Sequence, residues 1–372
     1  MQEQQEQQDK LEQNKQNQQQ EFYTVLVVGG YGVVGSYLTA LLAKRNRNVK
    51  VLIAGRNMEK AQRAASKIKR AEAVIVDINS NNPLEYLYTM PDAIIVSVND
   101  THDHLLRQAI QKRIPILDIA RWHERVEAAK QVYKEEVGNS PVILGSGWVA
   151  SVPSIVVKAH QETLIPFENV DIDILLSLKD KTGPDSVTGF VDAHLPFYIW
   201  ENGQKKEVKG FSNSKSVYFS DKRTFTTHRM RCPEQATLVE CGVTQGASVR
   251  IAFDSQIMNR TFACLIRTGV WGFLSRKTRK SILHNSKNTN DALHEIIVSI
   301  KEKGKTLKIS VIDQVGQSHL TAVSAVSQLE RLLGLQGRIQ PQHGVTFPEQ
   351  ASDVQLDLMA IQDMGVSIKK VV

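Results

Sequence analysis

At 372 residues the chain is long enough for a substantial hydrophobic core and predicts two domains. Its 41% hydrophobic and 23% charged content is ordinary for a globular protein and excludes a wholly disordered or collagen-like chain. No apolar run is long enough to cross a bilayer, the Gln/Glu-rich start is not a secretory signal, and the net charge of +7 is open to an anionic small molecule, a membrane surface, nucleic acid or a merely solvated surface.

Residues 1–20 are low-complexity Gln, Glu, Asn and Lys with a single Leu11, a composition that reads as a disordered or loosely helical tail. Order is expected from Phe22. The continuous apolar run Val25 to Val28 suits a strand covered on both faces, and the stripe Val34, Leu38, Leu41 and Leu42 suits a helix. Strands at Val49–Ala54, Ala73–Val76, Ala93–Val98, Ile116–Ile119 and Val142–Leu144 then alternate with helices. That alternation predicts a doubly wound parallel sheet, an N-terminal α/β Rossmann domain over 21–147.

The pattern changes after Gly147. Ser151 is placed to cap a helix that Pro153 opens. Val170 to Leu178 alternate with Asp171, Asp173 and Ser177, the signature of a half-exposed strand. Further strands are expected at Val217–Phe219, Thr237–Glu240, Val249–Phe253 and Leu307–Ile312, with helices near Asn290–Lys301 and Thr321–Leu333. This segment, 148–345, reads as a mixed or antiparallel α+β domain for substrate or dimerisation, compatible with a homodimer. A helix at Glu349–Gln362 and a strand at Val366–Val371 close the chain over 346–372, with either domain open as their docking side. The three cysteines, Cys232, Cys241 and Cys264, match no zinc or redox spacing, and no metal site is expected. Their odd number points to free thiols in a reducing, cytoplasmic compartment, packed as small hydrophobes.

Gly30-Tyr31-Gly32-Val33-Val34-Gly35 is a complete G-x-G-x-x-G directly between the first strand and the first helix, the context that makes it a dinucleotide fingerprint. Gly30 is expected to permit the turn, Gly32 the approach of a pyrophosphate, and Gly35 the close packing of helix on sheet. An NAD site usually carries an acid at the end of the second strand, about 20 residues beyond the motif. Here Arg56-Asn57 stand there, and a guanidinium suits a 2′-phosphate, so NADP is the expected cofactor, with NAD as the alternative. Asp77 and Ile78 follow the third strand on the adenine side, where Asp77 is equally a turn cap. Val98 and Asn99 end the fourth, on the nicotinamide side.

The run Val25 to Gly35, then Ala54-Gly55-Arg56-Asn57 with Glu59-Lys60-Ala61, Val76-Asp77-Ile78 and Ile116-Leu117-Asp118-Ile119, resembles the saccharopine dehydrogenase-like (saccharopine reductase) family over roughly Phe22 to Leu144. The resemblance implies an NADP-type cofactor and a mixed-sheet second domain covering the nicotinamide. It also implies chemistry on a secondary amine joining an amino acid to a keto-acid or semialdehyde, with relatives that act on polyamine precursors or lipid double bonds. The chain departs from the reductases at Gly145 to Pro153, where they carry a Gly/Pro-rich loop, so their substrate is not carried over.

Hydride transfer also needs a proton to be given or taken. The candidates are Asp192 and His194 in an irregular stretch, His102 (with His104) at a helix start beside the fourth strand, and Asp118 late in the fifth. For each the plain alternative is structural: a satisfied histidine, helix-start polarity or a cap. Arg267, Arg276, Lys277, Arg279 and Lys280 surround Val270 to Leu274 and suit an anionic partner or a solvated helix face; no nucleic-acid module accompanies them. Three functions follow. The first is an NADP-dependent oxidoreductase on an anionic imine, opine-like or keto-acid substrate. The second is an enoyl-type reductase on a lipid or carrier-bound substrate, which would place Val270–Leu274 along a wide apolar cleft. The third is a non-catalytic NADP-binding sensor or scaffold, which would lack polar groups converging beside the nicotinamide.

Overall fold

The computed structural model describes residues 22–121, 125–180, 188–220, 222–283 and 292–371; the Gln-rich tail lies outside them. In chain order the first sheet is laid down by β1 (Tyr23–Val28), α1 (Val33–Arg45), β2 (Val49–Gly55), α2 (Met58–Ala65), β3 (Ala71–Ile75), β4 (Ala93–Val96), α3 (His104–Gln111), β5 (Ile116–Asp118), α4 (Val126–Glu135) and β6 (Pro141–Leu144). All its strands are parallel, in the order β6-β5-β4-β1-β2-β3. Val25 to Val28 and Ala93 to Val96 are buried throughout, as central strands covered by helices on both faces must be.

The second sheet is mixed. Its path β10-β11-β12-β7-β13-β14-β16 uses Lys215–Tyr218, Thr224–Arg229, Ala247–Phe253, Asn169–Leu176, His294–Glu302, Lys305–Asp313 and Ser367–Val371. A hairpin of β8 (Pro196–Glu201) and β9 (Gln204–Lys209) joins it through β12. Only β12 and β7 pair parallel; the other pairs are antiparallel. Helices α5 (Val152–Ala159), α6 (Thr188–Val191), α7 (Glu234–Glu240), α8 (Gln256–Arg267), α9 (Val270–Phe273) and α10 (Arg276–Leu283) belong to the same half of the chain.

Two expected elements change type. Thr237–Glu240 is the end of helix α7, which buries Glu234, Gln235 and Leu238; the branched Thr237 and Val239 suggest a strand only if those helix-spaced neighbours are left out. Asn290–Lys301 contains no described helix. Residues 292 and 293 are irregular and β13 runs from His294, buried on both faces between β7 and β14. A central strand needs no polar alternation, so its unbroken Ile-Ile-Val-Ser-Ile run carries no period to separate strand from helix.

The chain returns to the first sheet before residue 345. Helix α11 (Gln317–Leu333) lies against α1 and over β4, β5 and β6, and β15 (Gly344–Thr346) adds a parallel edge strand beside β6. Helix α12 (Val354–Asp363) packs on α11 and α5, and β16 closes the second sheet. Helix α11 is buried on almost every face, including Ser324, Ser327, Gln328 and Glu330. Its small residues allow close approach from all sides, which is why no polar stripe marks it.

Two contacts fix how α11 lies on α1. Near their starts the rings of Tyr37 and His319 meet edge to face at 5.5 Å. Near their ends Arg45 Nε donates to Glu330 Oε1 at 2.7 Å, and Asn46 Nδ2 donates to the same oxygen at 3.0 Å. The helices therefore run parallel, and α11, like α1, begins at the carboxyl ends of the strands. Glu330 is fully buried whereas Arg45 keeps some access to water. Glu330→Ala should therefore lower the unfolding free energy by about 2–3 kcal/mol, less than the full cost of breaking a buried pair, as read by denaturant unfolding. An unchanged midpoint would show that this clamp does not hold the helices together.

Candidate active site

Residues 29–32 turn from β1 into α1. The left-handed residue is Gly29, at φ +85°, one position before the motif. A side chain on Gly29 would meet Ser97 Oγ and Val98 Cγ1, each at 2.6 Å, so the ends of β1 and β4 close on each other here. Gly30 is constrained by space, since a Cβ would lie 2.9 Å from the Val27 carbonyl oxygen. At Gly35 it would lie 2.1 Å from that of Gly29, so the expected close packing is present. Gly32 is the N-cap of α1 and no side chain caps the helix. The first-turn N–H groups of Val33 and Val34 thus face the crevice, an arrangement that suits a phosphate.

Tyr31 turns away from this turn and lies over the end of β2. A Cβ on Gly55 would sit 2.5 Å from its ring, and its phenol oxygen accepts the Asn57 N–H at 3.1 Å. Asn57 caps α2 by accepting from Lys60 N. Arg56 between them is exposed and ion-paired with none of the described residues. At the end of β3, Asp77 accepts from Asn79 N in a local turn, and Ile78 packs against the core. At the end of β4, Val98 and Asn99 are half-buried.

The proton-transfer candidates do not gather. Asp118 is a buried structural acid. One oxygen accepts from Ala120 N at 3.0 Å and the other from Arg121 Nε at 3.0 Å. Arg121 also donates to Asp103 at 2.6 Å, and Arg125 takes the other oxygen of Asp103. His102 is exposed and stacks on His104, whose Nδ1 lies 2.8 Å from the Ser80 carbonyl oxygen. Asp192 and His194 are tied to α10: Arg276 donates to Asp192 at 2.8 Å, and Arg279 lies 3.1 Å from His194 Nδ1. Burial and the Arg279 charge lower the His194 pKa. The basic-aromatic stretch is structural at its centre, because Trp271 is fully buried and donates to the Val191 carbonyl.

A different group converges at the strand ends, and sequence reasoning passed over it. Beyond β6 the chain passes through Val149, Ala150 and Ser151 at φ +46°, +54° and +64°. Three successive non-glycine residues in the left-handed region cost about 1–2 kcal/mol each. Ser151 is therefore no ordinary cap. Its hydroxyl accepts from Gly147 N at 3.0 Å and makes no capping bond to α5. The strained turn is held by α11, as Ser324 Oγ and Gln328 Nε2 each donate to the Ala150 carbonyl at 2.7 Å. It is also held by the Glu234 carboxylate, which accepts from Trp148 N. Burial raises the pKa of Glu234, and burial likewise carries Glu349 to about 7.

Trp148, aimed by this turn, donates its indole N–H to His294 Nε2 at 3.0 Å. An indole nitrogen only donates, so His294 keeps its proton on Nδ1. Burial lowers its pKa to about 4, and Nδ1 has no partner. Opposite His294 in the β13–β14 pair stands Asp313, whose carboxylate accepts from Val315 N and Gly316 N and lies 2.7 Å from His319 Nδ1. The series Trp148, His294, Asp313, His319 and Tyr37 thus leads from the end of β6 through the second sheet to α1. Among the described residues no group of three or more His, Cys, Asp or Glu is placed to hold a metal, and no helix is long and apolar enough to cross a membrane.

A Gly-rich turn, an uncapped helix start and a mixed-sheet second half define the class, that of NAD(P)-dependent oxidoreductases. Residues 25–138 match the family model described as saccharopine dehydrogenase NADP binding domain. Over those residues the chain is saccharopine dehydrogenase-like, with the NADP-binding type of domain. The fold resembles apo saccharopine dehydrogenase (L-Glu forming) from Saccharomyces cerevisiae, with 13% identity, a TM-score of 0.63, and coverage of 94% of this chain and 100% of that one. A myo-inositol dehydrogenase from Corynebacterium glutamicum aligns at 15% identity and a TM-score of 0.43, covering 94% of this chain and 99% of its own. No curated protein matches the chain.

The strained turn yields a stability prediction. Gln328→Ala should cost about 1–3 kcal/mol by removing one of the donors on the buried Ala150 carbonyl. Ala150→Gly in that background should recover about 0.5–1 kcal/mol, since glycine enters the left-handed region freely. If Ala150→Gly instead lowers the melting temperature further, the turn is not under strain.

Proposed function

We propose that this chain is an NADPH-preferring oxidoreductase that transfers hydride to or from the carbon of a C=N or C=O group in a small imine, opine-like or keto-acid substrate. The observation that carries the reading is the uncapped start of α1 behind the glycine turn, with an unpaired Arg56 at the end of β2. The chain's parts toward the cofactor follow the order of the strands. Gly30 to Gly35 would cradle the pyrophosphate, with Val33 and Val34 as donors. Arg56 and Asn57 would meet the 2′-phosphate, beside Tyr31. Asp77 and Ile78 would border the adenine, and Val98 and Asn99 the nicotinamide. The bound nicotinamide supplies the hydride; the protein orients it, excludes water and handles one proton.

Two observations favour this reading over its rivals. Trp271, at the centre of Val270–Leu274, is a fully buried core residue, which supports a structural role for this stretch over the enoyl-type alternative. Polar groups converge between the end of β6 and the start of α11, against a non-catalytic scaffold. An acidic group on the substrate would need a cation other than Arg121, which is spent on Asp103 and Asp118.

A fluorescence titration tests the cofactor. NADPH should bind more tightly than NADH by about 10- to 100-fold, the worth of a charge-assisted guanidinium–phosphate contact, and Arg56→Ala should erase most of that margin. Equal binding of both dinucleotides, unchanged by the substitution, would contradict the NADP assignment.

A further inference from the structure

We infer that His319, oriented by Asp313, is the group that exchanges the proton accompanying hydride transfer; the inference rests on the function proposed above.

Position is the first argument. Helices α1 and α11 run parallel, so the start of α11 lies at the crevice end of the sheet beside the start of α1. His319 is the third residue of α11 and touches Tyr37, the fifth of α1. Chemistry is the second. Asp313 is buried and already accepts two backbone N–H groups through one oxygen. Its second oxygen faces His319 Nδ1 at 2.7 Å and holds the proton of the neutral ring there. Nε2 is thereby the atom left to pick up and release a proton, and the ring stays partly open to solvent. The neighbours complete the setting. Asp180 accepts from Gln317 N at 2.6 Å, and His294 stands across the strand pair from Asp313. Of these groups Asp313 and Tyr37 contact the His319 ring directly, while Asp180 holds the first turn of the same helix and His294 stands behind Asp313.

The step balances. As hydride forms the new C–H bond and the C=N or C=O π bond breaks, His319 Nε2–H gives its proton to the nitrogen or oxygen. The dinucleotide is oxidised and the substrate carbon reduced. In the opposite direction Nε2 takes the proton back.

That coupling can be read without a substrate. In the wild-type chain the His319 ring is followed by nitrogen-resolved NMR through a pH titration, with saturating NADPH and then with saturating NADP+; His319→Gln assigns the signal. The midpoint should be lower with NADP+ by about 0.5–1 pH unit, because a cation then stands beside the ring. Asp313→Asn should lower the midpoint of the free protein and release the ring from its Nδ1–H form. Identical midpoints with both dinucleotides bound would place His319 away from the nicotinamide and overturn this assignment alone. Failure of both dinucleotides to bind would overturn the proposed function together with it.

Discussion

The parallel packing of α11 on α1 is the constraint on which the rest of this architecture depends. A Rossmann sheet by itself presents one helix start to a dinucleotide. Here a second helix, contributed by chain that has already built most of another sheet, lies beside the first and points the same way. The Arg45–Glu330 bridge and the Tyr37–His319 contact set its direction. That direction decides which residues reach the crevice. Reversing α11 would carry His319 to the far edge of the sheet and leave the Ala150 carbonyl without Ser324 and Gln328.

The same helix supports the backbone strain beyond β6. Three left-handed residues persist because the surrounding bonds over-determine them. Two donors from α11 hold the Ala150 carbonyl, and a buried carboxylate holds Trp148 N. The product of that strain is a direction for the Trp148 indole, which fixes the tautomer of His294 across the interface between the two sheets.

The first sheet was legible because its determinants are local. Apolar runs, alternating helices and the glycine turn each lie within a few residues of one another. Even there the left-handed residue of the turn, Gly29, stands one position before the motif, and its side is closed by Ser97 and Val98 just beyond β4. The second half was less legible. The fully buried β13 shows no period, and the branched residues of α7 imitate a strand. Asp118, His102, Asp192 and His194 were reasonable candidates by residue type, but Arg121 and the arginines of α10 claim three of them and His102 stands exposed. The only local signal for His319 was an acid ending a strand, then a glycine, then a histidine in the first helical turn. Nothing in the spacing says that this helix lies on α1, because Tyr37 and His319 are separated by most of the chain.

The most direct test is a crystal structure of the full chain with NADP+ bound. The account predicts a pyrophosphate on the N–H groups of Val33 and Val34, a 2′-phosphate at Arg56, and a nicotinamide lying between Asn99 and the Trp148–His319 side of the crevice. A dinucleotide seated elsewhere, or a nicotinamide turned away from α11, would contradict it.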